Sequence, residues 1–143
     1  MRRCRSDCSQ RRSGCCGLLD GAVFDGDYAT ITLATGEHDP LQVCVAAMVS
    51  AFVNDPWVVR RLPAMVERAG FVDARLASHG FAQVADADYM VSIADRGAGR
   101  LAANGRIGRA LADALKAEAR RRLMDGSFFG HIAYASLITR KPG

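Results

Sequence analysis

The sequence predicts an α/β fold with about three strands and four helices, the last strand running antiparallel to its neighbours. Apolar residues recur at helical spacing in four segments and alternate with period two in others, and turn residues separate the segments. The last segment, 131–139, is rich in β-branched and aromatic residues and closes the sheet as a strand. Strands separated by helices indicate a sheet with crossover connections.

The first half of the chain predicts one strand and two helices. Residues 21–34 alternate between apolar and polar side chains, and an Asp-Gly-Asp step at 25–27 ends or bends this strand. Asp39-Pro40 and Asp55-Pro56 are helix starts, because a carboxylate caps free backbone amides and proline fits the first turn. Gly70 ends the second helix as a left-handed cap.

The second half predicts a strand, two helices and the closing strand. The period-two pattern begins at Val72 and ends at 79–80 or continues to 84. Residues 86–96 form a short helix, which the Gly-Ala-Gly step at 97–99 is expected to break. An i,i+4 row of apolar residues from 107 to 123 predicts a long helix that ends at Gly126. The arginine run 120–122 continues the polar side of this helix and is predicted to be solvated surface.

The chain has the size and composition of one globular domain. It has 143 residues and a net charge of +4. Residues 1–20 carry five arginines and two aspartates, which is +3 and leaves +1 for the rest, so no nucleic-acid surface is expected. The sequence has no apolar stretch of the kind that a secretory signal or a membrane span needs, so no membrane contact is expected. The predicted compartment is the cytoplasm.

Residues 1–20 are predicted to be a disordered basic tail, and residues 21–143 the folded part. Four of the five cysteines, Cys4, Cys8, Cys15 and Cys16, lie in the tail. A zinc site is the alternative, but paired C-x2-C knuckles are absent and no histidine precedes His38. No metal site is therefore predicted.

Four segments resemble the C-terminal half of a class I S-adenosylmethionine-dependent methyltransferase of the small-molecule type. The run 62–73, LPAMVERAGFVD, resembles the helix that hands over to the sixth strand of that family. The run 23–28, VFDGDY, resembles the end of the fifth strand, and 87–90, ADYM, the substrate-side insertion. The run 128–135, FFGHIAYA, resembles the final antiparallel strand. The resemblance covers about residues 20–143 and implies part of a Rossmann-like sheet.

The resemblance also implies a methyl donor, S-adenosylmethionine, whose binding motif this chain lacks. The family holds the donor on a glycine-rich loop after its first strand, where bare backbone approaches the ligand. The only G-x-G-x-x-[GA] match, 97–102, follows a predicted helix rather than a strand, so it is interpreted as a helix break. No cofactor-binding residue is predicted, and the chain alone is expected to be inactive and to bind the donor weakly or not at all.

Six residues are predicted to bind the substrate, some because they follow a strand and others because of the resemblance. Asp25, Asp27 and Tyr28 follow the first strand, at the edge where open α/β sheets bind ligands. The resemblance places Tyr89 and Arg96 on the substrate-side helix, and His131 is a candidate acid or base. Each also has a structural interpretation, as turn, packing or surface residue. No catalytic residue is identified.

Two other functions remain open. The chain could be a non-catalytic α/β interaction module that completes its sheet with another chain, or a small-ligand carrier with the helices as a lid. The predicted partners are a small-molecule methyl acceptor and a second copy of the chain at the exposed sheet edge, because three strands leave edges unpaired.

Overall fold

A computed structural model describes residues 20–142, and the predicted mixed α/β fold is confirmed. Its elements are β1 (Asp20–Thr32), α1 (Leu41–Phe52), α2 (Val58–Arg68), β2 (Val72–Gln83), α3 (Asp88–Ala103), α4 (Arg109–Asp125) and β3 (Gly130–Arg140). The predicted order of three strands and four helices is therefore correct. The predicted tail, with its four cysteines and the alternative of zinc, lies outside the described residues except for Asp20.

The three strands form one sheet in the order β1-β3-β2, and β3 is antiparallel to both neighbours. β1 and β2 therefore run in the same direction, and the α1–α2 segment is the crossover between them. β1 continues past the predicted turn at 25–27, with a register shift between Asp27 and Thr32. Within residues 20–142, neither the outer edge of β1 nor that of β2 has a partner strand.

The two Asp-Pro steps begin helices as predicted. The Asp39 carboxylate accepts a hydrogen bond from the Leu41 amide at 3.0 Å, and Asp55 accepts one from the Trp57 amide at 3.1 Å. Gly70, with φ +89°, ends α2, and Gly126, with φ +75°, ends α4. These local signals fixed the ends of the elements because each satisfies backbone groups that a helix end leaves free.

The main core lies between the helices α1, α3 and α4 and one end of the sheet. Leu41, Cys44 and Met90 are fully buried there, together with Ile132 of β3. α2 packs separately, across the other face of the sheet, and contacts all three strands. No helix in the described part of the chain is long and apolar enough to cross a membrane.

The predicted break at 97–99 is wrong, because α3 continues through it to Ala103. Gly97 and Ala98 are buried against the neighbouring helix. A Cβ at Gly97 would lie 1.9 Å from the carbonyl oxygen of Cys44 in α1. The glycine is thus a point of close helix contact rather than a turn, and the G-x-G-x-x-A match lies inside a helix.

Candidate functional site

The two faces of the sheet carry different side chains. Tyr134 and Ser136 of β3 point to one face, which we call the cluster face, with Phe24 of β1 and His79 of β2 as cross-strand neighbours. Asp25 and Asp27 of β1 alternate with these residues and point to the opposite face, which α2 covers. The predicted site residues are therefore divided between two surfaces.

Three phenols meet on the cluster face, and we call Tyr28, Tyr89 and Tyr134 the tyrosine cluster. Tyr28 comes from β1, Tyr89 from the first turn of α3 and Tyr134 from the middle of β3. The Tyr89 hydroxyl lies close enough to the other two for them to affect its ionisation. Tyr28 and Tyr134 pack against the core, whereas the Tyr89 side is partly open to solvent. The cluster thus places hydroxyl groups at the border between core and solvent.

Aromatic rings continue the cluster across the sheet. Phe24 stacks on Tyr134 with ring centroids 5.4 Å apart and an angle of 4° between the planes. Phe81 of β2 meets the Tyr134 ring edge-on at 6.0 Å. Beyond them, His79 Nε2 lies 2.8 Å from Ser136 Oγ, which makes a polar pair at the rim. This is the surface on which apolar area and convergent polar groups coincide.

The Tyr89 phenol is held in its neutral form. Burial, followed by the hydrogen bonds with Tyr134 and Tyr28, raises the pKa of Tyr89 well above its ordinary value. Tyr89 is therefore suited to donate or accept a hydrogen bond and not to act as a base near neutral pH.

We expect Tyr89 to ionise at higher pH than an ordinary tyrosine. Phenolate absorbance followed through a pH titration should contain a late step, and Tyr89→Phe should abolish that step. If the variant and the parent chain titrate identically while both remain folded, the close arrangement of the three phenols is wrong.

The face beneath α2 holds an ion pair. Asp27 Oδ2 accepts a hydrogen bond from Arg60 Nε at 3.0 Å, and the Arg60 guanidinium lies over the Trp57 ring, 4.6 Å from its centroid. The other carboxylate oxygen of Asp27, Oδ1, is buried without a hydrogen-bond partner in the structure. Asp27 thus ties β1 to α2 and keeps one acceptor oxygen uncommitted.

Asp25 and Tyr28 border a cavity at the outer edge of β1. The cavity has a volume of about 300 Å³, and the α1–α2 connection, including Phe52 and Asp55, forms its other wall. Asp25 is exposed, and its Oδ1 accepts a hydrogen bond from the Gly26 amide at 2.7 Å. A carboxylate that accepts from the next amide is typical of a turn, as the structural interpretation of Asp25 predicts. Here the interaction occurs within strand β1.

Arg96 and His131 lie apart from the tyrosine cluster. Arg96 is exposed, two helical turns beyond Tyr89 and therefore about 10 Å further along α3. His131 points to the face opposite Tyr134, where its ring stacks with Phe129 at 6.4 Å. Of the six predicted substrate-binding residues, the structure brings Tyr28 and Tyr89 together, with Asp25 and Asp27 nearby on β1.

Three residues of this surface are not predicted from the sequence: Tyr134, His79 and Ser136. Tyr134 lies in the predicted closing strand and His79 at one of the two predicted ends of the second strand, and neither is a predicted site residue. The register places His79 directly opposite Tyr134, in the middle of a strand. Only the alternation of β3, which puts Tyr134 and Ser136 on the same face, could have indicated this group beforehand.

Within residues 20–142, no group of three or more histidine, cysteine, aspartate or glutamate side chains could hold a metal ion. Cys44 of α1 is buried. The chain matches no protein-family model, no curated protein and no solved structure.

Proposed function

We propose that this chain forms the acceptor-side part of an S-adenosylmethionine-dependent methyltransferase that acts on a small molecule. The observation that carries the proposal is the sheet order, in which a final strand lies between β1 and β2 and is antiparallel to both. The helices before that strand hold Tyr89 against the sheet. This arrangement agrees with the resemblance in the order of the elements and in the strand that completes the sheet.

The tyrosine cluster suits the acceptor side of such a reaction. S-adenosylmethionine, when bound, supplies the methyl group for a direct displacement, and positioning of the acceptor then provides most of the rate. Neutral phenols hold an acceptor oxygen or nitrogen without adding charge. Asp27 is not part of this arrangement, because its side chain points to the opposite face of β1, beneath α2.

β1 has the features of a strand from the interior of a larger sheet. Its neighbouring residues Val23 and Phe24 point to opposite faces and are 42% and 65% exposed. Apolar side chains on both faces are typical of strands that are covered on both sides. We propose that a donor-binding half pairs with the outer edge of β1, beside these residues.

Calorimetry on the chain alone tests whether donor binding resides in the other half of the methyltransferase. We expect no tight stoichiometric binding of S-adenosylmethionine, because residues 20–142 contain no glycine-rich loop between a strand and a helix. Tight binding by the isolated chain would contradict the assignment to the acceptor side.

A fusion tests the methyltransferase assignment itself. Residues 20–143 placed behind the donor-binding half of a class I methyltransferase should give a folded monomer that binds S-adenosylmethionine. The matched control fusion carries Val23→Asp and Phe24→Asp, which place charges in the proposed contact, and should not assemble. If both fusions leave the two halves unpacked, the proposed pairing at β1 is wrong.

An interaction module is the second candidate, since exposed strand edges favour pairing with another chain. Light scattering separates the two, because a stable monomer that binds no partner counts against the module. A homodimer through the β1 edge would support the module and compete with the donor-binding half. For both candidates we propose a cytoplasmic location.

A further inference from the structure

All three tyrosines of the chain converge in one place. Their positions in the sequence are far apart, and they come from two strands and a helix. If these side chains only filled space in the core, their rings would suffice and their hydroxyl groups would not need to lie together. Here the hydroxyls of Tyr28 and Tyr134 lie near that of Tyr89, and Tyr89 is 38% exposed. A ligand at this surface therefore finds hydrogen-bonding groups already arranged.

Phe24 presents a free aromatic surface beside these hydroxyls. One side of its ring lies on Tyr134 at an angle of 4°, while 65% of the residue is exposed. A stacked ring with one open side is ready to accept another flat ring. Phe81, 40% exposed, borders the same area through its edge-on contact with Tyr134.

The far rim of this surface is polar and carries no permanent charge. His79 and Ser136 share a hydrogen bond of 2.8 Å, and the His79 ring lies 6.4 Å from that of Phe24. None of these clustered side chains is an aspartate, glutamate, lysine or arginine. The nearly parallel rings of Phe24 and Tyr134 make a shelf rather than the several walls that enclose a quaternary ammonium group.

We propose that the tyrosine cluster, Phe24 and Phe81 bind a flat, uncharged aromatic molecule that carries a hydroxyl oxygen. The ring of the ligand stacks on the open side of Phe24, and its oxygen hydrogen-bonds with the tyrosine hydroxyls. If the proposed function is correct, this molecule is the methyl acceptor. The identification of that ligand as an acceptor rests on the proposed function, whereas its binding does not.

Binding is tested by nuclear magnetic resonance on the full chain, with naphthol as the probe. We expect naphthol to shift the ring signals of Phe24, Tyr89 and Tyr134. Decalol, the saturated and non-planar counterpart, should bind about 5-fold more weakly, because it loses the stacking contribution. Tetramethylammonium should leave these signals unchanged.

Three variants locate the site. Phe24→Leu keeps an apolar side chain but removes the stacking surface, and should weaken naphthol binding about 5-fold. Tyr89→Phe removes one hydroxyl and should weaken it by a similar factor. Trp57→Leu, at a half-exposed ring immediately before α2 and outside the cluster, is the matched control and should bind naphthol as the parent chain does.

The proposal is overturned if the folded chain does not bind naphthol, if decalol binds equally well, or if tetramethylammonium binds better. It is also overturned if Phe24→Leu and Trp57→Leu have the same effect. Naphthol binding that depends on Phe24, combined with failure of the fusion to assemble, would retain the ligand site and reject the methyltransferase assignment.

Discussion

Gly97→Ala should be among the most damaging single substitutions in this chain. The added Cβ would lie 1.9 Å from the Cys44 carbonyl oxygen and 2.6 Å from its Cα, so it meets backbone rather than a movable side chain. α1 and α3 would have to separate at their closest point, within the main core. We expect a loss of about 3 kcal/mol in the free energy of unfolding, the upper end for overpacking. Urea denaturation followed by circular dichroism measures it.

Gly99→Ala is the matched control. Gly99 lies in the same helix, two residues on, and a Cβ there meets nothing within 4 Å. Alanine favours a helix over glycine by about 1 kcal/mol, so this variant should be equal to the parent chain or more stable. If both variants are stabilised, the close approach of the two helices is wrong.

The Gly-Ala-Gly step at 97–99 shows what local sequence patterns cannot predict. Asp39, Asp55 and Gly126 could be interpreted correctly because each acts on the backbone within a few residues. Gly97 acts on a helix that lies about fifty residues earlier in the chain, so a propensity-based interpretation takes it for a break. Tertiary contact overrides the helix propensity of glycine here.

The candidate site was also only partly predictable, because some of its residues are marked by local position and others only by tertiary pairing. Tyr28 and Tyr89 follow or begin elements, where the general position of ligand sites and the resemblance both indicated them. Tyr134 and His79 acquire their significance only from the pairing register of β2 with β3. A register is decided by the whole sheet, and a shift of one residue would send both side chains to the other face.

The arginine run at 120–122 is a further case in which the fold separates residues that the sequence pattern treats alike. Arg120 and Arg121 are exposed, as predicted for solvated surface. Arg122 is not: its side chain is 11% exposed and donates to Asp39 Oδ2 at 2.6 Å and to Glu118 at 2.7 Å. Arg122 thus pairs with Glu118 one turn earlier in α4, and it also joins the end of α4 to the start of α1.

Asp39 depends on this contact because its side chain is only 3% exposed. Burial raises the pKa of its carboxyl group, but the Arg122 guanidinium and the amides of Thr35 and Leu41 outweigh burial and hold the pKa well below its usual value. A lowered pKa in the folded state means that the carboxylate stabilises the fold above the unfolded pKa of about 4. This contribution is lost as the pH falls from there through the folded pKa.

Arg122→Met should therefore destabilise the chain strongly near neutral pH. Methionine keeps most of the packing volume but leaves Asp39 charged and buried without a cation. Removing one partner of a buried pair costs about 3 kcal/mol, the lower end of the usual range, because the two amide hydrogen bonds to Asp39 remain. Denaturation midpoints measured at several pH values test this.

The pH dependence separates the buried pair from ordinary loss of packing. As the pH falls below about 5, protonation of Asp39 relieves the variant, while the parent chain progressively loses the stability that the lowered pKa of Asp39 contributes, so the difference between them should shrink. Arg121→Met is the matched control: Arg121 is 56% exposed, and its loss should change the midpoints little at any pH. A difference between Arg122→Met and the parent chain that stays constant from neutral to acid pH would mean that Arg122 acts through packing alone.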